Sequence, residues 1–387
     1  MIMVTQVASQ NNGRTTTAKP TDGPLQGVRW PVRRPTAWLA VVLGIVGVAL
    51  GLGVGARHLQ VAGMSLTAAV GLVGLAVGLV ATVAGATVLL RGMHGWRRWW
   101  ALPVGLLLLW FVAVPLTTAV MVTNVPPIEV HSQTPADRGV AYEDVTFMTA
   151  DGVRLSAWYV PSRNGAAVVL RHGATSTRSD TLDVVVVLAG HGYGVLATDA
   201  RGHGGSGGVA MDWGWFGDLD TAAAVTFLSQ RPEVHADRVG VVGLSMGGEE
   251  ALGAAAADPR IRAVVAEGVS SRGTVADDDL VLPDHPGRWM NVAQTWIQQH
   301  LADLLADASA PTGLRPAVVA VAPRPVLLIV GGDALGGEVT AGRRLQAAAP
   351  DSVEVWEVAG APHIGGLATH PQQWETRVVG FLDRALQ

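Results

Sequence analysis

The residues 243–247 read Gly-Leu-Ser-Met-Gly, a G-x-S-x-G string inside VGVVGLSMGG. A serine hydroxyl is a weak nucleophile until it is exposed and paired with a base. A sharp turn between a strand and a helix exposes it, and the flanking glycines leave room for that backbone. Here an apolar run precedes Ser245 and a Gly/Ala-rich helical run follows it. The helix start turns free N–H groups and its positive end toward developing negative charge. Ser245 is therefore the candidate nucleophile, and the N–H of Met246 is one candidate oxyanion donor.

A base and an acid must meet that hydroxyl. His363, in EVAGAPHIGGL after the last strand-like run, stands in the short loop between strand and helix. His370 is its nearest rival but precedes Pro371 at the start of the final helix. A carboxylate must fix the tautomer of the histidine. Asp333 directly follows the apolar run PVLLIVGG and is the first choice. Glu338, at a predicted helix start, and Glu267, at the end of the preceding strand, are the alternatives. The second oxyanion donor is expected from the loop Arg171-His172-Gly173-Ala174, with the Ala174 N–H best placed. His172 reads as a brace of that loop, and the Asp199, Arg201 and His203 side chains as a network holding the rim. The run Asp277-Asp278-Asp279 reads as a solvated loop rather than a cation site.

Positioning these residues takes a sheet. Strand-like runs fall at 142–148, 153–160, 166–173, 193–199, 239–245, 261–268, 325–332 and 353–358, with helical stretches at about 179–190, 216–230, 246–257 and 372–386. Short apolar strands alternating with helices predict an α/β domain over 126–387, a mostly parallel sheet covered on both faces. Sites in such sheets lie beyond the carboxyl ends of the strands, where the motifs fall. The insertion 269–318 holds one or two helices and forms either a small lid over the pocket or a local surface excursion.

Composition then sets limits. The 387 residues carry 27 Lys+Arg against 31 Asp+Glu, only 15% charged, with 49% hydrophobic residues and no cysteine. Mean hydropathy is +0.33. That balance argues against wholesale disorder and gives no basic surface for nucleic acid. It excludes disulfides, thiol nucleophiles and Cys-ligated metals. The excess hydrophobicity is concentrated in three uncharged runs, 37–56, about 61–90 and about 101–123, each long enough to cross roughly 30 Å of hydrocarbon as a helix. They predict a three-helix transmembrane region over 37–124, preceded by a disordered polar tail at 1–36. Gly44, Gly47, Gly51, Gly53 and Gly55 either let helices approach closely or face lipid. Trp96, Trp99 and Trp100 beside Arg97 and Arg98 read as an interfacial belt. Arg29, Arg33 and Arg34 before the first run and Arg91, Arg97 and Arg98 before the third, against Arg57 alone between the first two, put the N-terminus inside and the α/β domain outside the cell membrane.

With R-H-G-A-T-S-T-R at 171–178, D-A-R-G-H-G-G-S at 199–206, G-L-S-M-G-G at 243–248, the Asp333 region and His363, the chain resembles the α/β-hydrolase superfamily, in its serine aminopeptidase/monoglyceride-lipase-like branch. The resemblance covers about 140–387 and implies an eight-stranded sheet, a Ser-Asp-His triad and a lid of variable size after the sixth strand. The short G-G-D-A-L-G-G-E spacing departs from the family's wider gap between the last strand glycine and the acid. The expected activity is acyl transfer to water without metal or organic cofactor, on a small-molecule acyl ester that the membrane setting makes lipid-like. A small-peptide peptidase and a non-catalytic membrane sensor or scaffold are the alternatives.

Overall fold

A computed structural model describes residues 34–281, 286–306, 308–334 and 337–386. Three apolar helices come first, Arg34–Ala62, Leu66–Arg91 and Gly95–Thr123, each long enough to span a bilayer. The expected tail falls outside the described residues up to 33, and residues 34–36 already belong to the first span. Leu39, Val42, Leu43, Val70, Val73, Val77 and Val80 are exposed on the bundle, as side chains solvated by lipid would be.

The glycines of the first span face its neighbours. A Cβ on Gly47 would stand 3.0 Å from the Gly78 Cα, and one on Gly55 would stand 2.5 Å from the Gly71 carbonyl carbon, so the first two spans touch backbone to backbone. A Cβ on Gly53 would meet Val120 of the third span at 2.6 Å. With no hydrophobic drive between helices in lipid, such close van der Waals packing is what holds a bundle together. The Arg34 guanidinium donates to the Gly92 carbonyl at 3.1 Å, joining the start of the first span to the end of the second. The other end of the first span, at Arg57, reaches the α/β domain.

That domain is an eight-stranded sheet ordered β1-β2-β4-β3-β5-β6-β7-β8. The strands are β1 Glu143–Met148, β2 Arg154–Val160, β3 Ala167–Arg171, β4 Gly194–Thr198, β5 Val239–Leu244, β6 Ile261–Glu267, β7 Val326–Gly331 and β8 Val353–Val358. The β1–β2 and β2–β4 pairs are antiparallel and the others parallel. The flanking helices are α1 Leu182–Gly190, α2 Gly217–Ser229, α3 Met246–Ala257, α4 Arg288–Ala306, α5 Leu314–Val321, α6 Glu338–Ala348 and α7 Pro371–Leu386.

The central strands read as continuous apolar runs because both their faces are covered. Val239 and Val241 of β5 bury with Leu228 of α2, Leu252 of α3, Val318 of α5 and Leu345 of α6. Val242 turns to the opposite face and buries with Leu188 of α1 and Trp374, Val378 and Leu382 of α7. The strand and helix expectations hold to within a few residues. The acidic run does not: Asp277 is buried, accepting from the N–H groups of Arg272 and Leu314 at 3.0 and 2.7 Å, so it ties the insertion together instead of facing water.

The bundle contact gives a test. Gly55→Leu forces the first two spans apart and costs about 1–3 kcal/mol, as overpacking does. It should lower the melting temperature of the detergent-solubilised protein, whereas Val80→Leu on the lipid-facing surface should not. Equal melting of both variants would mean that the glycines do not make the contact.

Candidate active site

β5 ends at Leu244 and α3 begins at Met246, leaving Ser245 alone to make the turn at φ 53° and ψ −120°. Such a backbone is rare for a residue with a Cβ and persists only where its surroundings enforce it. The Ser245 N–H donates to the Glu267 carbonyl at 2.7 Å, and its own carbonyl accepts from Gly248 and Glu249. A Cβ on Gly243 would lie 2.1 Å from the Gly247 oxygen, and one on Gly247 would lie 2.6 Å from the Arg171 and His172 oxygens. Both glycines of the motif are therefore demanded by space.

The loop after β3 lies across from the hydroxyl, with Gly173 so close that a Cβ on it would be 3.3 Å from the Ser245 Cβ. Met246 opens α3, so its N–H has no intrahelical acceptor. The Ala174 N–H has no hydrogen-bond partner among the described residues. His172 braces this loop: its Nδ1 lies 2.7 Å from the Gly173 carbonyl and its Nε2 accepts from the Ala200 N–H at 2.9 Å. Burial drives its pKa well below the ordinary imidazole value, so the ring is neutral.

His363 and Ser245 come together. The His363 Nε2 stands 2.9 Å from the Ser245 Oγ. On its other side Nδ1 contacts the Glu338 carboxylate through Oε1. The carboxylate against the imidazole is thus that of Glu338, and the first choice, Asp333, is corrected. Asp333 is exposed after the end of β7, and among the described residues its bond is that of its backbone N–H, which donates to the Ala361 carbonyl at 3.1 Å. The loop after β7 carries the chain past the strand end, and the first residue of α6 supplies the buried carboxylate. The second Glu338 oxygen accepts from the Gly331 N–H at 3.2 Å, which fixes its rotamer. The hydrogen bond to Glu338 raises the His363 pKa above the ordinary value, against the lowering effect of partial burial.

Glu267 does not touch the histidine by hydrogen bond. It accepts from Gly366 N–H at 2.7 Å and Trp374 Nε1 at 2.9 Å, anchoring the loop that carries His363 to α7. Burial raises its pKa. Behind the site Arg171 pairs with Glu250 at 2.6 Å, Arg178 with Asp199, and Arg201 with Asp220 at 2.6 Å and Asp151 at 2.7 Å. Sequence reading missed Glu250, because a carboxylate on an Ala/Gly-rich helix carries no motif. It also missed Asp212, which receives the Thr175 N–H at 3.2 Å and pairs with Arg57 of the first span.

The sequence profile of the family described as serine aminopeptidase, S33, matches residues 162–321. An uncharacterized protein of Mycobacterium tuberculosis is 31% identical over 228 residues, 58% of this chain and 73% of that protein. The chain belongs to the α/β-hydrolase superfamily, within the group related to serine aminopeptidases. It is a serine hydrolase. An esterase of Pyrococcus furiosus, Pf2001, superposes with a TM-score of 0.54 at 27% identity over 68% of this chain and all of that one. A thiohydrolase of Aspergillus aculeatus, aneE, is 32% identical over 133 residues, 32% of this chain and 40% of that protein. The family profile's match, 162–321, lies wholly outside the three spans.

The imidazole environment of the hydrolase is open to test. Glu338→Gln removes the charge that favours the imidazolium, so the His363 pKa should fall, whereas Asp333→Asn should leave it in place. Histidine side-chain NMR titration, assigned with His363→Ala, reads both. A fall with Asp333→Asn alone would overturn the pairing.

Proposed function

We propose that Ser245, His363 and Glu338 form the catalytic triad of a membrane-anchored carboxylic-ester hydrolase. The observation that carries the reading is the 2.9 Å approach of His363 Nε2 to Ser245 Oγ with Glu338 on the opposite ring nitrogen. Ser245 Oγ attacks the ester carbonyl carbon while its proton passes to His363 Nε2. Glu338 holds Nδ1–H and stabilises the imidazolium. The N–H groups of Met246 and Ala174 receive the negative charge on the former carbonyl oxygen. The tetrahedral adduct collapses, and the leaving alcohol takes the proton from Nε2. A water then gives a proton to the same nitrogen, attacks the acyl carbon, and releases the acid with Ser245 restored.

The substrate class follows from what adjoins the site. Thr175, next to Ala174, and Asp212 both contact the ends of membrane spans: Arg57 meets both, and the Asp212 N–H donates to the Val122 carbonyl at 3.0 Å. The carboxyl edge of the sheet thus abuts the bundle where it leaves the bilayer, which favours an amphiphilic, lipid-like ester held at that surface. By the placement of Arg34, Arg91, Arg97 and Arg98 at the far end of the bundle, that surface is the extracytoplasmic one. A peptidase would need a free charged group for a peptide terminus, and Arg171, Arg178 and Arg201, buried behind the site, already have carboxylate partners.

Labelling of membranes with a fluorophosphonate should mark the wild type and fail with Ser245→Ala. On a panel of nitrophenyl esters, Glu338→Gln should lower kcat/KM by roughly 10³–10⁴-fold, as loss of the tautomer-fixing acid does, while Asp333→Asn stays near wild type. The wild-type acidic limb should lie above the ordinary imidazole pKa, since the neutral base is lost as pH falls through a raised value. Full activity of Ser245→Ala or His363→Ala would sink the proposal.

A further inference from the structure

α4 falls in the insertion 269–318, where one or two helices were expected. Trp110, some ten residues past Trp100 and thirteen before Thr123, donates from Nε1 to the Met290 carbonyl at 3.5 Å. At 1.5 Å per residue that places Met290 about 15 Å from Trp100 of the interfacial belt and about 20 Å from the Thr123 end of the span, near the middle of a hydrocarbon core of roughly 30 Å. At the other end of α4, Ala302 is buried in one cluster with Ala119 and Val122 of the third span and Met211 and Trp215 of the α/β domain. α4 therefore runs beside the outer half of the third span, in the same direction, from mid-bilayer to the domain.

Positions 289–302 of α4 carry no Asp, Glu, Lys or Arg, and the one charge at its deep end, Arg288, borders the depression on its outward side. The Gln299 side chain turns inward and accepts from the Val275 N–H at 2.9 Å. On the outward side Trp289 is 65% and Trp296 54% exposed, with Val292, Ala293 and Ile297 lining a shallow apolar depression between them. The spacing is that of one helix face. In water this would be an uncovered apolar patch next to a membrane-spanning helix. We infer that α4 is embedded in the leaflet on the side of the hydrolase domain, and that the Trp289–Ile297 face is covered by lipid acyl chains. The Met290 contact joins α4 to the third span, whose Leu106, Leu107 and Leu109 are exposed as lipid-facing side chains would be, and this argues for lipid as the occupant.

The chain has no cysteine, so single substitutions accept a label without background. Trp289→Cys, Trp296→Cys and Leu304→Cys, each carrying NBD, are reconstituted in phosphatidylcholine vesicles, with Asp351→Cys as the exposed control before β8. Retained fluorophosphonate labelling certifies the fold of each. Positions 289 and 296 should be quenched by doxyl-labelled lipid and shielded from iodide, with 289 answering most to the deepest doxyl group and 304 to the shallowest. Iodide quenching at 296 like that at 351 would overturn the inference. So would shielding from both quenchers together with NBD self-quenching, which would mean a second copy covers the face.

A separate observation concerns the reaction, and it rests on the triad reading above. Arg57 leaves the first span and donates from Nη2 to Thr175 Oγ1 at 3.0 Å while pairing with Asp212, whose Oδ1 accepts the Thr175 N–H at 3.2 Å. Thr175 has φ 55°, and the residue before it is Ala174. The structure assigns Arg57 as a positioning residue: a membrane span holds the turn that aims the Ala174 N–H at the oxyanion. An interaction expressed in the transition state lowers kcat when lost and leaves KM alone. Arg57→Gln should therefore cut kcat on the order of tenfold or more, toward the cost of an oxyanion donor, with KM near wild type and partial recovery in Arg57→Lys. Unchanged kcat in Arg57→Gln, with Ser245 still labelled, would remove the positioning role and leave the triad intact. Activity surviving in Ser245→Ala would remove the triad itself.

Discussion

Ser245 occupies a backbone position that costs about 1–3 kcal/mol for a residue with a side chain, and the site depends on the sheet enforcing it. At φ 53° the chain leaves β5 and enters α3 without an intervening residue. This puts the hydroxyl outside the sheet edge and the first N–H of the helix beside it. The turn is locked from three directions: the Glu267 carbonyl takes the Ser245 N–H, Gly243 and Gly247 touch backbone to backbone, and Gly247 also presses on the carbonyls of Arg171 and His172. The last contact matters most, because it fixes the distance between the Ser245 hydroxyl and the loop after β3. A single strained residue thus sets the hydroxyl against both that loop and the first N–H of α3.

The charges buried behind this turn hold loops, and their placement explains why they are worth burying. A buried ion pair gains little net stability over a well-packed apolar pair. Arg171 and Glu250 nonetheless sit directly beneath the site, with Gly214 and Gly217 packed so close to Glu250 that a Cβ on Gly217 would fall 2.1 Å from its Cγ. Burial raises the Glu250 pKa to about 7 even with the guanidinium beside it. The pair joins β3 to α3 and props the 211–217 loop against both. Arg201 joins the 199–206 loop to Asp151 and Asp220 in the same manner. Rim loops cannot bury an apolar face of their own, and directional charged hydrogen bonds give them fixed positions.

The strands, and the turn and loop that bring Ser245 and His363 together, were legible in the sequence because each is a local signal. An apolar run such as VGVVGL is a two-face-buried strand wherever it stands, and a Gly-flanked serine at its end has one sensible geometry. The carboxylate beside the histidine was not a local signal. Asp333 stands where a strand ends, but that position faces solvent, whereas Glu338 reaches His363 from the first turn of a helix, after a loop whose course depends on the packing of α6 on β7 and β8. Asp277 misled for a similar reason: three adjacent carboxylates look solvated until the insertion folds two backbone N–H groups onto one of them. α4 escaped as a membrane element because Asn291, Gln294, Gln298 and Gln299 dilute its hydropathy, although it lies against a span.

The bundle is more than a tether, because its contacts converge on the working edge of the sheet. Asp212 is the junction: its N–H goes to the third span at Val122, its carboxylate to the first span at Arg57 and to the Thr175 N–H, and it comes within 3.7 Å of the buried His203 Nε2. A flexible linker would leave the domain free to turn any face to the membrane. Three spans packed through glycines cannot shift independently, so the two that reach Asp212 present one edge of the domain at one height. That edge is the carboxyl end of the parallel strands, the only edge at which this fold can carry chemistry. The contacts at Asp212 place that edge next to the ends of the first and third spans.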